Sequence, residues 1–174
     1  MAFSYDEPIR YNEGKVDWTL LPWDQSLLTR LTHSLKSIEE VDRDDLFLAV
    51  FNENVYNTLC YSLLLSTSYN QSPECISNLP WKALEDVCRV FQYGCIKYQR
   101  DNYKLAPGLP LEGYVQSMWR HTVSYLKGEE LDTDSGLPNL SHLACNCFMY
   151  LWTQKEYHNG WLLFNCNVYS ESMV

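Results

Sequence analysis

Between Lys97 and Asn146 this sequence gathers nearly every side chain that could handle a small anionic ligand. Lys97, Arg100 and Lys104, with Asn102 among them, cluster at the end of one apolar pattern and the start of a loop. Arg120 and His121 follow inside the next pattern. Cationic groups in such a cluster suit phosphate oxygens, Arg above all through its planar fork of donors. The same residues also describe a solvated basic edge, and for Lys104 that is the preferred reading. Arg120 follows Met118-Trp119 in a helix that must bury much of its surface, so it is expected to need an anionic partner.

The run Gly128-Glu129-Glu130-Leu131-Asp132-Thr133-Asp134-Ser135-Gly136 offers that partner, with four carboxylates bounded by glycines. Glu129 and Asp132 have E-x-x-D spacing. On one helical turn that spacing aims both carboxylates the same way, as oxygen ligands of Mg²⁺ are often arranged. An acidic surface loop has the same composition, and the loop alone leaves both readings open. His142 and Asn146 tip the balance. They stand four apart in a stretch otherwise made of Leu, Ala, Cys, Phe and Met, so they share one helix face and are expected to be buried together in a polar site.

These residues must be positioned by helices. Leu27, Leu28, Leu31, Leu35 and Ile38 follow helical spacing, and the charged run Glu39 to Asp45 breaks it. A second helix is predicted from about Asp44 to Leu65, with Phe47, Leu48, Phe51, Val55, Leu59 and Leu63 on one face. Ser66 to Asn78, polar and containing Pro73, reads as a loop. Trp81, Leu84, Val87, Cys88, Phe91 and Cys95 predict a helix that starts after Pro80 and ends near Lys97. A loop with Pro107, Gly108 and Pro110 leads to a helix carrying Leu111, Tyr114, Val115, Met118, Thr122, Tyr125 and Leu126, closed by Lys127 and Gly128. The stretch from about Leu140 to Trp152 is apolar on almost every side, so it is expected to be the central helix. Phe3 to Val16 reads as a surface arm, and Trp161 to Tyr169 as a short strand or packed arm. The tripeptide Leu21-Pro22-Trp23 returns as Leu79-Pro80-Trp81 around what reads as a self-contained helical pair.

Composition narrows the function. The chain has 174 residues and a hydrophobic content of 46%, enough for one domain with a real core. A net charge of −9 argues against a grip on long nucleic acid, which needs a basic face, but leaves small phosphorylated ligands open. Met1 to Arg10 has no apolar secretory core, and no apolar run approaches the roughly 20 residues needed to span a bilayer. Seven cysteines make an odd number for a disulfide framework, and Cys88, Cys95, Cys145 and Cys147 sit in apolar helical patterns, as buried reduced thiols do. A cytoplasmic location is expected. Phosphate-loop, dinucleotide, nucleophile-elbow and zinc-helix motifs are absent. None of His33, His121, His142 and His158 is followed by Asp, which disfavours a metal phosphohydrolase built on an adjacent His-Asp pair.

The segments LPWKALEDVCRVFQYGCIKYQRDNY, YVQSMWRHTVSYLKGEELDTDSGL and NLSHLACNCFMYL, between Leu79 and Leu151, resemble the phage dATP/dGTP diphosphohydrolase family. The resemblance implies an all-α bundle in the style of the MazG-like nucleoside triphosphate pyrophosphohydrolases, forming a single domain over 1–174. Within it, 24–78 is expected to be an inserted helical hairpin and 79–152 the nucleotide-site core, with short irregular termini. It also implies a Mg²⁺-dependent enzyme, with Mn²⁺ as a substitute ion, that cleaves a purine (deoxy)nucleoside triphosphate to the monophosphate and pyrophosphate. Glu129 and Asp132, with Asp134, would hold the metal, and His121 or His142 would move a proton or order the surroundings. Lys97, Arg100, Asn102, Arg120 and Asn146 would bind substrate. MazG-like sites often form across subunits, so a homo-oligomer is expected; a phage source would place it in the cytoplasm of a bacterial host. Gln99 stands where relatives usually have Gly and Tyr103 where they usually have Trp, and only Glu129 and Asp132 form a clean carboxylate pair. Those departures suit a second reading, a protein that sequesters a nucleotide without turning it over; a purely structural protein with an acidic solvated face is the third.

Overall fold

The structure is a computed structural model that describes residues 14–22, 24–66, 79–106 and 108–158. Most of the expected N-terminal arm, nearly all of the Ser66 to Asn78 loop, Trp23 of the repeated tripeptide and the Trp161 to Tyr169 tail lie outside the described residues.

Among the described residues the chain forms six α-helices and no strand, the all-α architecture that the family resemblance implies. Helix α1 spans Gln25–Ser37 and buries Leu27, Leu31 and Leu35. Asp24 caps it by accepting from the Leu27 amide at 2.9 Å, satisfying a donor that the first turn cannot. Helix α2 spans Arg43–Phe51 and opens on a capping box between Asp42 and Asp45. Helix α3 spans Val55–Leu65 and is capped by Asn54.

The predicted single helix from Asp44 to Leu65 is therefore two, and the predicted helical pair is a set of three. Glu53 takes a left-handed φ of 52°, which ends the α2 ladder, and Asn54 starts a new one. The break lets each helix choose its own face. In α3 Val55, Leu59 and Leu63 are buried as expected. In α2 the buried residues are Leu46, Ala49 and Val50, while Phe47, Leu48 and Phe51 are 39%, 52% and 63% exposed.

Helices α4 (Trp81–Lys97) and α5 (Leu111–Leu126) have the bounds that their periodicity predicts. Helix α6 runs from Asn139 to Tyr157, longer than expected at its end. It packs against α3, α4 and α5, with Leu143, Ala144 and Cys147 fully buried. Its apolar surface on all sides has this cause: three neighbours leave it almost no solvent face. Because α3 leans on α6, the segment before Leu79 shares this core. Cys60, Cys88, Cys95, Cys145 and Cys147 are free thiols, and burial pushes the Cys88 thiol up to about 12. No described helix is long and apolar enough to cross a membrane.

Candidate functional site

One cavity of about 760 Å³ opens where α4, α5 and α6 converge. The end of α4 contributes Tyr93 and Lys97, and the turn after it Asp101, Asn102 and Tyr103. Arg120 and His121 come from α5, Asp132 and Asp134 from the loop that follows, and His142 and Asn146 from α6. The fold thus brings together Lys97, Asn102, Arg120, His121, Asp132, Asp134, His142 and Asn146. It does not bring Arg100 or the Glu129 side chain into that wall.

The acidic loop is built differently from the expected helical turn. Gly128, at φ 88°, ends α5, and its amide donates back to the Tyr125 carbonyl at 2.9 Å. The chain then doubles back through an antiparallel bridge between Leu131 and Pro138. Asp132 Oδ1 accepts from the Ser135 amide at 3.0 Å and from its hydroxyl at 2.9 Å, and Gly136 takes the positive φ of 68° that closes the turn. Without a helix, E-x-x-D spacing no longer aligns Glu129 with Asp132. The Glu129 side chain is exposed, and its backbone carbonyl instead accepts from Asn139 Nδ2 at 2.8 Å. Asp132 is half-buried. Burial would raise its carboxyl, but the two Ser135 donors and the neighbouring histidines hold it below the ordinary value.

Two imidazoles form the polar heart of the wall. His121 and His142 stack with ring centroids 4.6 Å apart and planes within 16°. His121 Nδ1 meets Asn139 Oδ1 at 2.8 Å, and His142 Nε2 meets the Ser135 hydroxyl at 2.7 Å. Both residues are buried. Burial, and then the neighbouring imidazole, push His142 down to about 4, so at neutral pH it carries no charge; burial lowers His121 as well. Tyr93 and His142 pair edge to face, with ring centroids 6.4 Å apart. Asn146 shares the His142 face as expected but is only half-buried, and its Nδ2 donates to the His142 carbonyl at 2.8 Å.

Arg120 departs from expectation. It is exposed, it makes no salt bridge with a described carboxylate, and its described side-chain hydrogen bond is a donation to Ser117 Oγ at 3.4 Å. The helical period explains this: α5 buries Tyr114, Met118, His121 and Thr122, and position 120 lies two residues, about 200°, from Met118. Its guanidinium is free to meet a ligand. Arg100 is committed elsewhere. It binds Asp17 Oδ2 at 2.7 Å and Thr19 Oγ1 at 2.6 Å, tying the 3-10 turn Trp18–Leu20 to the turn after α4. Lys104 is not a loose surface cation either; it pairs with Asp101 at 2.9 Å.

Sequence reasoning missed Ser135 and Asn139, which hold the two histidines. A signal existed for Asn139: it stands three residues before His142 and seven before Asn146, on one helix face. Tyr103, noted in the sequence only as a departure from the family, is a buried side chain in the cavity wall whose hydroxyl has no described hydrogen-bond partner.

Among the described residues, no group of three His, Cys, Asp or Glu side chains is assembled to hold a metal ion. Asp132 and Asp134 do share the cavity wall with Lys97 and Arg120. One or two carboxylates are the protein donors that Mg²⁺ commonly takes when phosphates and water complete its shell, so this pair suits a metal that arrives with a nucleotide.

The described residues define an all-α fold with a cavity lined by cations that make no described salt bridge, carboxylates and neutral imidazoles. The family model described as dATP/dGTP diphosphohydrolase, N-terminal, matches residues 66–160, just over half of the chain, and the chain belongs to that family. No curated protein and no solved structure matches it.

Proposed function

We propose that this cavity binds a purine deoxynucleoside triphosphate, dATP or dGTP, and hydrolyses it to the monophosphate and pyrophosphate. The observation that carries the proposal is the convergence of Lys97 and Arg120 with Asp132, Asp134, His121 and His142 in one cavity of a chain that belongs to this family. The volume lies within the range of small-molecule sites. Lys97 and Arg120 make no described salt bridge, so phosphate oxygens can take their donors without breaking an ion pair. They would neutralise the charge that grows on the leaving pyrophosphate. Asn102 and Asn146 offer amides to the sugar or base, and Tyr93 and Tyr98 offer aromatic surface.

Asp132 and Asp134 would hold Mg²⁺, with Mn²⁺ as a substitute, and the ion would supply charge neutralisation on the phosphates and a more acidic water. The Glu129 side chain and Arg100 lie outside the cavity wall, so this reading gives Glu129 no part in holding the metal and Arg100 no part in binding substrate. The exposed Phe47, Leu48 and Phe51 of α2 support the homo-oligomer as part of the proposal, and the free thiols suit a reducing, cytoplasmic setting.

A second reading has an observation of its own: with no three-ligand metal group among the described residues, the same cavity could sequester a nucleotide without cleaving it. Thermal-shift titrations with each deoxynucleoside triphosphate, with and without Mg²⁺, run beside a turnover assay, separate the two. Stabilisation with turnover of dATP or dGTP supports the enzyme, and stabilisation without turnover supports the binder. Neither effect with any nucleotide refutes both.

A further inference from the structure

We infer that Asn139 is a positioning residue that fixes the tautomer of His121, so that Nε2 of His121 is the proton acceptor at the cavity wall. The inference rests on the pyrophosphohydrolase reading above and assigns a step within it.

One atom beside Asn139 can only accept. The Glu129 carbonyl takes a hydrogen bond at 2.8 Å from the Asn139 side chain, so the atom facing it is the amide nitrogen. That orients the whole amide and turns Oδ1 towards His121 Nδ1, 2.8 Å away. An amide oxygen has no proton to give, so Nδ1 carries the hydrogen. The neutral ring then has its lone pair on Nε2, the nitrogen with no described partner, on a side chain that lines the cavity. Asn139 is 2% exposed and sits in the first turn of α6, so the amide has no room to rotate away.

The neighbouring ring is fixed by the same logic. The Ser135 hydroxyl has one proton, and Asp132 Oδ1 at 2.9 Å accepts it. The 2.7 Å contact between Ser135 and His142 is therefore a donation from His142 Nε2–H. His142 becomes a rigid platform for the face of His121, 4.6 Å between centroids.

In the reaction, a water gives one proton to His121 Nε2 as its oxygen bonds to the phosphorus under attack. The bond from that phosphorus to the bridging oxygen breaks, and pyrophosphate leaves with the electron pair. The imidazolium then returns its proton to solvent. The Asn139 amide oxygen supports the charge on the ring while it lasts. The groups that face His121 are Arg120 from its own helix, Asp132 from the loop, and His142 and Asn139 from α6.

The test uses the full chain with ¹⁵N-labelled histidine, and dGTP with Mg²⁺ as the probe. Long-range ¹H–¹⁵N correlations are expected to show His121 protonated at Nδ1 and bare at Nε2, with the resonance assigned by its loss in His121→Gln. Asn139→Leu is expected to lower kcat roughly 10- to 100-fold with KM within about twofold. Asn139→Asp keeps an acceptor for Nδ1–H and favours the imidazolium; it is expected to hold kcat within about threefold at neutral pH and to raise the acid limb of the pH profile. If Asn139→Leu does not fold, the wild-type tautomer and the Asn139→Asp profile decide the question. A His121 protonated at Nε2, or an Asn139→Leu variant with wild-type kcat, overturns the inference while leaving the function standing. The expected tautomer in a protein that turns over no nucleotide overturns the function, and the proton-acceptor role with it.

Discussion

Acid should loosen this fold through His142 before it touches the carboxylates. In the unfolded chain His142 takes its proton at the ordinary value of 6.5, and in the native protein only at about 4, because burial in the wall of α6 disfavours the charged ring. The native state therefore binds fewer protons than the unfolded state between those values, and stability falls as pH is lowered through that window. Between pH 7 and pH 5 the two titrations give a loss of about 2 kcal/mol. His121 is shifted the same way and adds to it. Asp132 works outside the window: its lowered carboxyl contributes stability above 3.8 that is lost only in stronger acid. Urea unfolding followed by circular dichroism at pH 7 and pH 5, on the wild type and on His142→Gln, measures the effect. Gln keeps a donor for Ser135 but cannot titrate. The wild type should lose about 2 kcal/mol across the interval and the variant markedly less. A wild type whose stability does not change, or a variant with the wild-type slope, would show that His142 is not a buried neutral ring.

Further outcomes follow from the same geometry. Asp132→Asn should lower Mg²⁺-dependent turnover on the order of 100-fold or more, whereas Glu129→Gln, whose side chain is outside the cavity, should stay within about threefold in the same steady-state assay. Arg120→Ala should weaken nucleotide binding by roughly tenfold in a calorimetric titration, because its guanidinium is free for phosphate. Arg100→Ala should change that affinity by no more than about twofold, and thermal melting should show only a small loss from the exposed pair with Asp17. Leu143→Ala, at a fully buried position on α6, should cost about 2–5 kcal/mol in the same urea measurement through the cavity it leaves.

The helices that carry the site were legible because each announces its ends. Pro80 opens α4, Lys127 and Gly128 close α5, and the apolar encirclement of α6 follows from its three neighbours. The α2–α3 break was not legible from Gly or Pro punctuation, since a glutamate, Glu53, takes the left-handed turn; Asn54 as a cap was the available signal. The site was legible as a set because its polar residues interrupt otherwise apolar patterns. The remaining features depend on geometry that spacing does not carry. The Gly128 turn cancels the helical spacing that would pair Glu129 with Asp132, and the partner of Arg100, Asp17, lies 83 residues away in sequence. The exposure of Arg120 follows from its angle around α5, not from its neighbours in sequence. Ser135 and Asn139 act through hydrogen bonds whose direction only coordinates reveal.

On the proposed function, the cavity between α4, α5 and α6 cleaves a purine deoxynucleoside triphosphate with loss of pyrophosphate. ³¹P NMR of dGTP and of dATP incubated with the full chain and Mg²⁺ tests it most directly, because the spectrum identifies every phosphorus product. The monophosphate and pyrophosphate are expected in equal amounts. Orthophosphate with the nucleoside diphosphate, or unchanged triphosphate under conditions where the nucleotide is bound, would contradict it.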